Sequence, residues 1–158
     1  MEMRRFVVSA GVAVAVVAAV SGVGGAVASD GSGGKQLVVT AVQKSSAEVP
    51  NGGHLVGSRF VGDDDLMVDG RTVGRGIRSC EVVAPGAGPG NGTFQCLMTL
   101  SLGEGTLTLQ ATPVLSEVGL EDVTAAVTGG TGRFRHARGQ ALVEELSPIE
   151  LRYSLDLR

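Results

Sequence analysis

Residues 149–157, IELRYSLDL, put Ile149, Leu151, Tyr153, Leu155 and Leu157 on one side of an extended chain and Glu150, Arg152, Ser154 and Asp156 on the other. Successive side chains of a strand point to opposite faces, so this alternation suits a half-buried strand and not a helix. The same period runs through QLVVTAVQ (36–43), HLVGSRFV (54–61), TVGRGIRSCEVV (72–83), TFQCLMTLSL (93–102), TLTLQAT (106–112), VTAAVTG (123–129) and FRHARGQALVEE (134–145). With 149–157 that predicts eight strands joined by short turns rich in glycine, an antiparallel barrel or sandwich.

The N-terminus reads differently. A basic start, MEMRR, precedes the apolar run FVVSAGVAVAVVAAV and a small-residue stretch ending Ala26-Val27-Ala28. That is the plan of a secretory signal peptide over 1–28, cut after Ala28. An uncleaved anchor is the alternative, since no charge falls between Arg5 and Asp30. SDGSGGK (29–35) follows as a flexible linker, and 36–158 is the folded domain.

Removing 1–28 takes Glu2, Arg4 and Arg5 and leaves 11 basic against 15 acidic side chains, a net −4. A mildly acidic surface does not favour nucleic acid or an anionic membrane as partner. Phe60, Phe94, Phe134 and Tyr153 are the aromatics left, too few for a platform that stacks bases or sugars. Cys80 and Cys96 are the two cysteines, and export favours a disulfide between them. In a hairpin of 72–83 with 93–102, that bridge fixes the register: Val82 faces Phe94 and Arg78 faces Met98. Cys96 lies in the apolar row of its strand, so Arg78 is expected inside. A guanidinium there needs a partner or water. Two readings stand, a salt bridge at the rim and an anchor for an anionic or carbonyl ligand.

Other groups carry less. In TGGTGRFRHARGQ (128–140) no amphipathic helix follows the glycines, so a phosphate cradle is not indicated. Gly129, Gly130 and Gly132 are expected to supply positive φ angles in a turn. Asp63, Asp64, Asp65 and Asp69 lack the spacing of a calcium loop, with Met67 and Val68 where a ligand and a glycine belong, and read as an acidic surface turn. His54 and His136 are assigned to strands as isolated bases, and no metal site is indicated.

The segment AAVTGGTGRFRHARGQALVEEL (125–146) resembles the corresponding stretch of the allene oxide cyclases, through Thr128, Gly129, Gly130, Gly132, Phe134, Ala137, Gly139, Gln140 and Leu146. Its GTGRFRHARG core is also similar to the plant dirigent proteins. SLGEGTLTLQ, VGRGIRSCEVV and LRYSL extend the likeness over about 36–158. The resemblance implies a secreted, all-β, eight-stranded antiparallel β-barrel of the calycin-like kind, with a ligand-sized interior. It implies cyclase-like isomerase chemistry without a cofactor, and family barrels often associate, which allows a homo-oligomer. The family's pocket glutamate falls on Ala41, its asparagine on Gln43, its serine on Val49 and its proline on Pro50. Gln43, Pro50, Ser58, Arg78 and Arg138 are therefore the candidate lining residues. Ser58 is included because Val56 and Phe60 turn its row inward, and Arg138 because it stands in the family's Ala-Arg-Gly triplet. The expected partner is an apolar small molecule whose cyclisation or coupling the barrel steers. The competing expectation is a non-catalytic carrier or envelope module with a packed barrel.

Overall fold

The computed structural model describes residues 34–49, 55–88 and 90–158. The signal peptide and most of the linker, together with Pro50 and His54, lie outside the described residues. The strands are β1 (Lys35–Val49), β2 (Arg59–Val68), β3 (Arg71–Pro85), β4 (Gly92–Leu102), β5 (Gly105–Ala111), β6 (Val114–Ser116), β7 (Gly119–Leu120), β8 (Val123–Gly130), β9 (Gly139–Ser147) and β10 (Glu150–Leu157). Eight of them close on themselves in the order β1-β2-β3-β4-β5-β8-β9-β10, with β10 returning to β1, and every pairing is antiparallel. β6 and β7 form a small hairpin against the start of β4. The protein is an all-β, closed eight-stranded barrel, and closure leaves the eight wall strands without a free edge.

Alternation decides what fills it. Leu151, Tyr153, Leu155 and Leu157 of β10 are buried, as are Phe94, Cys96, Met98 and Leu100 of β4. Val39, Leu66, Leu100, Leu107, Leu109, Tyr153 and Leu155 pack the middle with essentially no exposure. Each such side chain contributes about 1.5–3 kcal/mol through removal from water. Tyr153 points its hydroxyl at Met98 Sδ, 3.6 Å away.

Four local expectations are corrected. The strand placed at 54–61 begins at Arg59 and continues to Val68, so Asp63, Asp64 and Asp65 of the expected acidic turn are strand and only Asp69 lies in a turn. The reversal is made by Asp69 and Gly70, with φ of +49° and +73°, as an Asp-Gly hairpin turn requires. Asp63 and Asp65 are tolerated on the outer face because Arg75 (2.7 Å) and Lys44 (3.3 Å) pair with them. Second, the strand placed at 134–145 starts only at Gly139, because Gly132–Phe134 coil into a 3₁₀ turn. His136 thus sits in an exposed turn, its Nε2 accepting a hydrogen bond from Arg135 Nε at 3.0 Å. Third, of the three glycines in that motif only Gly132 has a positive φ, +57°. Gly129 and Gly130 belong to β8, and Gly130 is needed for close approach, since a Cβ there would lie 2.5 Å from the Phe134 carbonyl oxygen. Fourth, β1 runs to Val49 with a bulge between Gln43 and Ser45.

Candidate functional site

The hairpin register is the one the cysteines demanded. Cys80 stands opposite Cys96, Val82 opposite Phe94 and Arg78 opposite Met98. The two sulfurs are bonded, with Cα atoms 4.0 Å apart. This disulfide lies in the wall of a cavity of about 210 Å³ at one end of the barrel. Its walls are mainly apolar: Val82, Phe94, Met98 and Leu151 from the barrel, and Leu115 and Leu120 from the β6–β7 hairpin. The hairpin wall is pinned by Glu145, whose Oε2 accepts a hydrogen bond from the Leu120 amide at 2.6 Å. An apolar cavity of ~150 Å³ takes one benzene ring. About 210 Å³ therefore fits one small ring system.

Arg78 lines this cavity and is held from behind. Its Nε and Nη2 donate to the two carboxylate oxygens of Asp64, both at 2.8 Å, and Nη2 also donates to Gln43 Oε1 at 2.9 Å. Asp64 is 1% exposed and the Arg78 side chain 14%. The Phe60 ring lies 5.8 Å from the guanidinium carbon, within cation–π range. Gly62 makes the arrangement possible, because a Cβ there would sit 3.1 Å from Nη2. Gly76 leaves room for the neighbouring strand, with a Cβ that would lie 3.0 Å from Leu66 Cδ2 and 3.3 Å from the Asp64 Cβ. A bidentate, charge-assisted pair fixes the guanidinium plane. The salt bridge and the inward-facing arginine are thus one structure. Beneath it, burial pushes the Tyr153 hydroxyl well above the ordinary tyrosine range; Arg78 opposes that shift and Asp64 reinforces it.

The sequence candidates divide. Ser58 and Arg78 line the cavity, and Ser58 is buried. Gln43 supports Arg78 from outside the lining. Pro50 is outside the described residues. Arg138 is exposed at the opposite end, its backbone bridged to Arg158 in both directions. It is not brought to the cavity, because the 3₁₀ turn carries the chain around the far rim. A larger cleft of about 770 Å³ opens at that far end, with Lys35, Arg71, Arg133 and Arg158 among its lining. Its charged side chains are solvent-exposed, and none of the candidate residues lines it. The smaller cavity holds the organised polar chemistry and is the candidate site.

Two residues of this site escaped the sequence reading. Asp64 shares a face with Phe60, Gly62 and Leu66 by the period of two, a signal that was present. Glu48 is subtler. The bulge skips Lys44, so Gln43 pairs with Asp64 but Ser45 with Asp63. One extra residue turns every later side chain of β1 to the other face. Glu48 consequently pairs with Phe60 and lines the cavity.

No family model matches the chain, and no curated protein matches it by sequence. Solved structures do. A pyocyanin demethylase superposes with a TM-score of 0.66 at 25% identity, over 78% of this chain and 99% of that one. The pterocarpan synthase dirigent protein GePTS1 gives 0.61 at 20% identity, over 78% and 88%. AbnU, an exo-specific intermolecular Diels-Alderase, gives 0.53 at 17%, over 78% and 98%. The fold is that of the dirigent and cyclase-like barrels.

Proposed function

We propose that this dirigent-like barrel is exported, binds one ring-sized, largely apolar small molecule at its disulfide end, and steers that molecule's cyclisation or coupling by confinement. The observation that carries the reading is the cavity itself: apolar walls around a guanidinium that Asp64 and Gln43 hold in one orientation. Confinement of a reactive species in one geometry accelerates reaction and selects product without acid–base machinery. Ala41, at the position of the cyclase glutamate, is buried and apolar, so the reading asks for no carboxylate there. Arg78 would orient a carbonyl or an anionic substituent, with Ser58 on the same cavity wall and Pro50 as a further candidate from the sequence. The similar structures support this at the level of the fold, since their names include a demethylase, a dirigent synthase and a Diels-Alderase, each a protein acting on small organic molecules. Export is supported by the apolar N-terminal run and by the disulfide.

Native mass spectrometry of the protein purified from its own source tests the reading. A small aromatic or alicyclic molecule should co-purify, and Arg78→Met should release it. Protein that arrives empty, and that binds no member of a panel of one- and two-ring compounds, would refute it.

A further inference from the structure

Glu48 Oε1 is fully buried and has no hydrogen-bond partner. Its residue sits on the cavity wall, opposite Phe60 across the β1–β2 ladder. Native proteins leave few buried polar atoms unsatisfied, because each costs the desolvation of that group. Arg78, on the same cavity wall, directs its Nε and Nη2 to Asp64 and Gln43, and Glu48 Oε1 receives no bond from it. Nor is the inward placement of this residue an accident of side-chain choice. The bulge at Lys44 is what turns position 48 inward, and bulges are a recurrent means of re-aiming a side chain near a site.

We infer that Glu48 selects the ligand: the cavity takes a planar ring compound bearing an N–H or O–H donor, which the Glu48 carboxylate accepts. This rests on the cavity being a ligand site, as proposed above. The apolar walls would hold the ring of any such compound, and the carboxylate would discriminate among rings of one shape. A hydrogen bond to a charged acceptor in such surroundings corresponds to a preference of about tenfold or more.

The experiment compares indole with indene, which share a bicyclic outline and differ in the N–H. Binding to the full folded chain is followed by NMR titration, in the native protein, in Glu48→Leu and in Glu48→Gln. The native protein should bind indole about tenfold or more tighter than indene. Glu48→Leu should bind the two alike and should melt no lower than the native protein, because it removes an orphaned acceptor. Glu48→Gln, which keeps a neutral acceptor, should show a reduced preference. Equal binding of indole and indene by the native protein overturns the inference and leaves the cavity reading standing. Binding of neither overturns the cavity reading, and the inference with it. A Glu48→Leu chain that keeps the indole preference, or that fails to fold, also overturns it, the second by showing a structural role for the carboxylate.

Discussion

Asp64→Ala is the substitution that most directly tests how the barrel interior is held. It removes both 2.8 Å bonds to Arg78 and leaves the guanidinium with the 2.9 Å contact to Gln43. Breaking a buried pair by deleting one partner costs about 3–5 kcal/mol, because the surviving charge stays buried. Arg78 is 14% exposed and borders a cavity, so some relaxation toward water is available and the lower end, about 3 kcal/mol, is expected. A domain of this kind has about 5–15 kcal/mol in all. At about 4 °C per kcal/mol the melting temperature should fall by about 12 °C. Urea denaturation should show a lower midpoint at an unchanged slope, the sign that stability and not compactness has altered. Asp64→Leu combined with Arg78→Met removes both charges and should recover most of the loss, with a coupling of about 2–3 kcal/mol in the cycle whose single variants are Asp64→Leu and Arg78→Met. A loss below about 1 kcal/mol for Asp64→Ala, or strict additivity in the cycle, would show that water already screens the pair. The double variant also separates stability from function. It should fold well and yet lose ligand, because the oriented guanidinium is gone.

Tyr153 is the chain's one tyrosine, and burial raises its pKa. An unfolded tyrosine ionises near ~10, so this contribution to stability is fully present below that pH and is lost as pH rises through the folded value. Phenolate absorbance should therefore appear only together with unfolding, and Tyr153→Phe should extend stability to higher pH; phenolate forming near pH ~10 in folded protein would contradict the buried placement. The Cys80–Cys96 bridge closes a separation of 16 residues. Replacing both by alanine should cost about 3 kcal/mol in urea denaturation, and an unchanged midpoint would mean that the sheet alone fixes the register. Gly132→Ala would place a Cβ 2.3 Å from the Glu104 carbonyl oxygen, whereas Gly57→Ala, also at positive φ, meets open space. Gly57→Ala should cost about 1–2 kcal/mol and Gly132→Ala clearly more, so equal denaturation midpoints would rule out the close approach.

The parts of this fold that depend on side-chain period were legible. β10 and β4 could be read residue by residue, and one cysteine pair then fixed the facing of Arg78. What failed was position along the chain. The Asp69-Gly70 turn carries a strong hairpin signal, but three preceding aspartates disguised the end of β2 as loop. Asp64 looks unsuited to a strand until its partner, fourteen residues on, is known to lie across the ladder. The β6–β7 hairpin is too short to show a period at all. Arg138 was misplaced because a 3₁₀ turn of three residues cannot be told from the start of a strand by alternation. Glu48 was hidden by a single inserted residue, which the gap-free count from Leu37, Val39 and Ala41 cannot register.

The interior is layered, and the layering bears on mechanism. The disulfide-end cavity and the far-end cleft share no lining residue. Between them lie Val39, Leu66, Leu107, Leu109, Tyr153 and Leu155, all essentially inaccessible, so a molecule entering at the disulfide end meets a packed floor and not a tunnel. The Asp64–Arg78 pair stands between that floor and the cavity. An apolar pair would fill the same space at equal or greater stability. Gly62 gives the guanidinium room, since a Cβ there would lie 3.1 Å from Nη2, and glycine within a strand weakens it. Asp64, Arg78 and Gly62 thus depart from what stability alone favours, and all three serve to hold one guanidinium at the cavity wall. That concentration of cost at a single group is the physical argument for function at this end of the barrel.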